Sequence, residues 1–148
     1  MDTSSEVKTL VAFTPRALSG EVAVSGTVID RKGYESAVFT LVTGEYTSDP
    51  TGINVECKVQ HSSGESGTGT YHDVLDLTDT DTPVIHTHIS GEVSTLIQRQ
   101  TKELSIDLRP CSRYVKLVAT YEVAGGTNPV LYFASTVTLG EPTIKPAV

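Results

Sequence analysis

Between Arg113 and Val123 apolar and polar residues alternate. Val115, Leu117, Ala119, Tyr121 and Val123 share one phase, and Tyr114, Lys116, Thr120 and Glu122 share the other, with Val118 the exception. Successive side chains of a strand point to opposite faces, so a period of two marks a half-buried β-strand. The β-branched and aromatic residues here suit such a pleated surface.

Other segments repeat the pattern. Val7 to Phe13 alternates, and Pro15 is expected to stop it. Glu21 to Val24 is a short strand ahead of Gly26. Thr27 to Asp30 and Ser36 to Val42 flank the charged, glycine-containing turn Arg31-Lys32-Gly33-Tyr34, which predicts a hairpin. From Ser36 to Val42 both phases are apolar, Ala37, Phe39 and Leu41 against Val38, Thr40 and Val42, as in a central strand covered on both faces. A turn is expected over Gly44 to Gly52. Then Ile53, Val55, Cys57 and Val59 alternate with Asn54, Glu56, Lys58 and Gln60. Ser62 to Gly69 is a glycine- and serine-rich connection.

Tyr71 to Leu77, Val84 to Ile89 and Leu104 to Leu108 are shorter strands, the second closed by Gly91 and the third by Pro110. Val93 to Gln100 fits a helical or an extended reading. Gly125 to Asn128 turns the chain into a last strand, Pro129 to Leu139. Met1 to Glu6 and Gly140 to Val148 read as extended N- and C-terminal arms. No long helical period occurs. Short strands at near-regular spacing predict an all-β, single-domain antiparallel β-sandwich, jelly-roll-like, over residues 1–148.

A chain of 148 residues is long enough to bury a core without staples. Two cysteines are too few for a disulfide framework. Cys57 and Cys111 are either free, buried thiols or bridged to each other, and the core phase of Cys57 favours the first reading. A formal net charge of -7 argues against a nucleic-acid surface. The N-terminus has no basic region followed by an apolar run, so no signal peptide is expected. No apolar run approaches the ~18 residues of a membrane span. Charge is unevenly placed. Between Lys58 and Arg99 there is no Lys or Arg, whereas Arg99, Lys102, Arg109, Arg113 and Lys116 outnumber Glu103 and Asp107. The two regions either steer a subunit to its neighbour or neutralise each other within one chain.

Candidate chemistry is sparse. His86 and His88, two apart on a strand, share a face, but a zinc site needs further ligands and only His61 and His72 remain as imidazoles. Asp73, Asp76, Asp79 and Asp81 lack the spacing of a calcium loop. Ser62 to Gly67 contains no Gly-x-Ser-x-Gly elbow to place beside His72 and Asp73. No glycine-rich loop opens a helix, so nothing marks a phosphate site. The expectation is a protein that is not an enzyme and uses no cofactor or metal.

Four blocks, taken together, carry a resemblance. They are Asp30-Arg31-Lys32-Gly33-Tyr34-Glu35-Ser36 with Val38-Phe39; Val59-Gln60-His61-Ser62 with Tyr71-His72-Asp73-Val74; Arg113-Tyr114-Val115-Lys116-Leu117; and Leu139-Gly140-Glu141-Pro142. In this order and spacing the chain resembles the head decoration, or cement, proteins of tailed bacteriophages. It departs at Ser63 to Gly69, where that family more often has an Asp-Asp-Gly turn, and in a longer segment from Asp79 to Gln100.

The resemblance implies a virion structural protein, made in the host cytoplasm, that binds the outside of the capsid and stabilises the shell. Its partners would be the major capsid protein and further copies of itself, with a trimer matching the threefold points of capsid lattices. Implied contact residues are Arg31, Lys32, Gly33 and Tyr34 in the turn and Glu141, Pro142, Ile144 and Lys145 in the C-terminal arm. The Arg113 to Leu117 block, followed by a closing strand with Leu139-Gly140, is also similar to discoidin-like and carbohydrate-binding jelly rolls. That implies a glycan-binding module of a phage fibre or baseplate; a head–tail or tail structural component of a phage particle is a third reading. The absence of tryptophan and the scarcity of aromatics outside strand patterns weigh against a sugar face.

Overall fold

The computed structural model describes residues 7–47, 51–64, 70–74, 85–92, 101–125 and 129–142, the strand at 85–92 in its backbone alone. They form strands β1 (Lys8–Leu18), β2 (Gly20–Ser25), β3 (Ile29–Asp30), β4 (Tyr34–Thr47), β5 (Gly52–Ser62), β6 (His72–Asp73), β7 (Ile85–Glu92), β8 (Thr101–Asp107), β9 (Tyr114–Ala124) and β10 (Val130–Pro142). Among the described residues there is no helix.

The topology is that of one long hairpin rolled up. β5 pairs with β7, β4 with β8, β2 with β9 and β1 with β10, all antiparallel. Rolling adds two further ladders, β10 to β4 and β9 to β5. The result is a sheet ordered β1-β10-β4-β8 facing a second ordered β2-β9-β5, with β6 and β7 sharing the far edge of β5 and β3 extending the line of β2 along β9. This is the jelly roll that the strand spacing predicts.

Alternation decides which side of each strand faces inward. On β9, Val115, Leu117, Ala119, Tyr121 and Val123 are buried, and on β5 Ile53, Val55, Cys57 and Val59 are. Across the interior lie Phe39 and Leu41 of β4, Leu104 and Ile106 of β8, and Leu131, Phe133, Val137 and Leu139 of β10. Phe13 of β1 meets Phe133 edge to face, with ring centroids 5.0 Å apart. Cys57 and Cys111 are free and buried.

Several sequence expectations are corrected. Pro15 does not end its strand, because β1 is an edge strand and the register shifts between Phe13 and Arg16, where a missing N–H costs no ladder bond. The segments around Arg31 to Tyr34 are not a hairpin. β3 joins β9 while β4 joins β10 and β8, so the turn carries the chain from one sheet to the other. β4 is central, but its second face is open: Val38 and Thr40 are half-buried and Val42 is exposed.

Strand ends shift as well. β4 runs on through Gly44 to Thr47. Gly91 lies within β7, opposite Ile53, instead of closing it. β10 continues to Pro142, so Gly140 to Pro142 belong to the sheet and not to a free arm. The expected N-terminal arm at 1–6, the segments at 75–84 and 93–100, and the rest of the C-terminal arm at 143–148 lie outside the described residues.

The link between β2 and β3 ties the two sheets together. Gly26 donates its N–H to Leu117 O of β9 at 2.7 Å, and Thr27 donates to Ala12 O of β1 at 2.9 Å. A Cβ at Gly26 would collide with the Ala12 carbonyl oxygen, so only glycine fits. Gly26→Ala is expected to cost about 1–3 kcal/mol through overpacking, and Phe133→Ala about 3–5 kcal/mol through cavity formation. Urea denaturation of each variant measures both; an unchanged midpoint for Gly26→Ala would contradict the tie.

Candidate functional site

The turn and the last residues of β10, expected separately from sequence, meet at one end of the sandwich. Tyr34 and Pro142 are register partners on β4 and β10. The turn itself is closed by Tyr34 N–H donating to Arg31 O at 2.9 Å, with Gly33 at φ 91°, a left-handed conformation that glycine takes without strain.

Arg31 braces this end. Its Nε donates to Ser112 O at 3.2 Å and its Nη1 to Tyr34 O at 3.0 Å, and its Nη2 donates to Cys111 O. Its own N–H donates to Arg113 O at 3.0 Å. One planar guanidinium thus satisfies carbonyls of the turn and of the β8–β9 loop, a geometry that the forked donor set of arginine suits and lysine does not. Arg31 is half-buried, whereas Lys32 is exposed, its charge near enough to favour the Asp30 carboxylate.

Ion pairs surround the brace. Arg113 grips Asp30 with Nε at 3.0 Å and Nη2 at 2.8 Å, and Asp30 Oδ1 also accepts the Lys32 N–H at 3.0 Å. Arg113 first of all holds the Asp30 carboxyl below the usual carboxylate range. Arg109 makes a similar fork to Asp107, with Glu141 and Glu35 close enough to favour its charge further. Asp73 of β6 is held low by Gln60 Nε2 at 2.8 Å and by Lys58. Asp73 is thus paired by Lys58 of β5, at the border of the acidic stretch, and Arg109 and Arg113 pair with Asp107 and Asp30, outside it. Its other acids lie outside the described side chains.

His61 on β5 closes the brace from beneath. Its Nδ1 accepts the Ser112 N–H at 3.1 Å, and its ring lies 6.3 Å from that of His72, its register partner on β6. Burial first, then His72 and Arg31, push its pKa below the ordinary value of 6.5. Lys116 Nζ sits 4.0 Å over the ring of Tyr71, whose hydroxyl is buried without a hydrogen-bond partner among the described residues.

Among the described residues, the polar contacts at this end hold loops in place. Burial pushes the Cys57 thiol up to about 12 and raises Cys111, so neither offers a thiolate near neutrality. Among the described residues no three His, Cys, Asp or Glu are grouped to hold a metal. The register of β7 against β5 shifts between Thr87 and Ile89, so the regular alternation expected to put His86 and His88 on one face is interrupted there, and their side chains lie outside the description. Glu141 is exposed and is the one non-glycine residue at positive φ among the described residues, at 51°. Ile144 and Lys145 lie outside the described residues.

Sequence reasoning missed the outer face of β1, β10 and β4, where Val11, Tyr132 and Val42 are exposed. The signal was present: Tyr132 falls out of phase with Leu131 and Phe133, and Val42 falls out of phase with Leu41.

No protein-family model and no curated protein sequence matches the chain. Solved structures with a similar fold come from infectious bursal disease virus. The Gx strain aligns with TM-score 0.54 and 8% identity over 93% of this chain and 33% of that one. The VP2 subviral particle aligns with TM-score 0.54 and 11% identity over 92% and 33%. T=1 particles derived from the virus align with TM-score 0.50 and 11% identity over 92% and 31%. The chain spans about a third of the length of these proteins, and the likeness establishes the fold.

Arg31→Met is expected to lower unfolding free energy by about 2 kcal/mol, with Arg31→Lys recovering only part of it. Stability should also fall in acid because of His61. The unfolded imidazole binds a proton more readily than the folded one, so its contribution is complete above the unfolded value of 6.5 and declines as pH drops toward the lower folded value. Urea titrations between pH 8 and 5 on wild type and His61→Gln measure this as a dependence of at most one proton that the variant loses.

Proposed function

We propose that this chain is a non-enzymatic structural protein of a virus particle, a decoration or cement protein bound to the outside of a tailed-phage capsid. The observation that supports the reading is the pairing of Tyr34 with Pro142, which brings the turn and the end of β10 together in one rim. Lys32, Gly33, Tyr34, Glu141 and Pro142 form its contact surface, joined by Ile144 and Lys145 from the segment beyond. Arg31 positions the rim from within. The likeness in fold to chains from virus particles supports the same reading.

The partner is the major capsid protein, engaged by several copies of the chain at once, a trimer at threefold points of the lattice. Weak contacts repeated around such a point gain through effective concentration. Glu141 fits this role. A non-glycine residue at positive φ costs about 1 kcal/mol, and strain of this kind collects where a side chain is needed for contact.

Adding the protein to purified shells that lack it should raise their melting temperature, and the protein should co-sediment with them. Unchanged shell melting without co-sedimentation would retire the reading. Glu141→Gly should raise the stability of the isolated protein by about 1 kcal/mol. Paired with Lys32→Glu, it should weaken shell binding about tenfold at low salt, by calorimetry or sedimentation.

A further inference from the structure

Two hollows flank the irregular part of β1. One, of about 510 Å³, is a shallow groove on the outer face of the sheet, lined by Pro15, Ala17, Val42, Tyr132 and Ala134 among others. The other, of about 230 Å³, lies between β1 and the β2–β3 link and is lined by Phe13, Thr14, Ser25, Gly26 and Thr27. Arg16 lines both. It is exposed and has no carboxylate partner among the described residues. Tyr132 is 50% exposed and Val42 39%.

We propose that this face is a docking site for an extended segment of a neighbouring polypeptide that carries an apolar side chain beside a carboxylate. The apolar group lies in the groove against Tyr132 and Val42, and the carboxylate takes the Arg16 guanidinium. Charge complementarity fixes the anion: an unpaired guanidinium at the end of an apolar groove is matched by a carboxylate, which it can meet with two parallel hydrogen bonds. An apolar patch bordered by such a polar group is the form of a protein contact site.

The irregularity of β1 also decides how the segment binds. Ser135 and Phe133 of β10 pair with Phe13 and Arg16, so Thr14 and Pro15 together oppose Ala134 alone. Proline offers no N–H, and the bulge breaks the row of free backbone groups. Strand addition is therefore blocked at this edge, and the segment is held by its side chains on the sheet face. The same site explains β4, whose sequence reads as covered on both faces although Val42 is exposed in the single chain. That the segment belongs to a neighbouring subunit of the particle rests on the function proposed above; the chemistry of the groove does not.

The test uses 3-phenylpropionate as probe and 3-phenylpropanol as its uncharged control, each titrated into nitrogen-15-labelled full-length protein. The acid should shift amides of residues 14, 16, 17, 42–44 and 132–134 with a Kd on the order of 1–10 mM, as expected for a fragment of this size. The alcohol should bind about fivefold more weakly. Arg16→Gln should reduce the acid to the affinity of the alcohol, and Tyr132→Ser should weaken both, in proteins whose remaining amide spectrum is unchanged. Shifts scattered over the surface, equal affinity for the two probes, or full acid binding by Arg16→Gln would overturn the site.

A second arm separates the occupant from the particle reading. An Arg16→Gln, Tyr132→Ser protein should lose binding to shells that wild type binds. Equal shell binding by both would overturn the assigned occupant. Wild type that ignores shells while still selecting the acid would overturn the particle reading and leave the groove as a docking site for another polypeptide.

Discussion

Burial of one alternate face of β9 and β5 against the opposite sheet is the constraint on which the other features depend. Their inward residues, from Val115 to Val123 and from Ile53 to Val59, leave no freedom of register, because a slip of one residue would exchange the core for Thr120, Glu122, Lys58 and Gln60. With these two strands fixed, β2 and β7 can pair only outside them. The link at Gly26 then sets how far apart the sheets stand, since one of its amides is bonded to each sheet by way of Thr27 and Gly26.

The end of the sandwich is organised by a different force. Residues that must leave one sheet and enter the other carry backbone groups that no ladder satisfies. Arg31 meets several of these carbonyls with one side chain, and His61 meets the Ser112 amide. The ion pairs around them, Asp30 with Arg113 and Asp107 with Arg109, are exposed and add orientation more than stability. Lys32 of the turn and Glu141 of β10 remain exposed at this end.

Much of this was legible beforehand where the period of two was strong. The strands around Ile53 to Val59 and Val115 to Val123 keep their predicted phases, since burial on one face alone writes alternation into sequence. Val118, the exception, is buried on the opposite side of β9, where alternation carries no information about neighbours. The turn at Arg31 to Tyr34 was visible as a turn, yet nothing local distinguishes a hairpin from a crossing between sheets, because the difference lies in partners far along the chain. Pro15 misled for a similar reason: its cost depends on whether its strand is at an edge. The brace made by Arg31 depends on loop carbonyls about eighty residues away and could not be read from spacing.

Lys8 at the start of β1 pairs with Leu139 near the end of β10, so these two strands leave the body side by side. A pull applied at Lys8 and resisted at Pro142 would load the ladder between them one bond at a time, as a zip opens, and not all together as in shear. A protein gripped only through these two points would peel at low force. Anchorage spread across a sheet face avoids that weakness, because tension then crosses the ladder bonds in parallel.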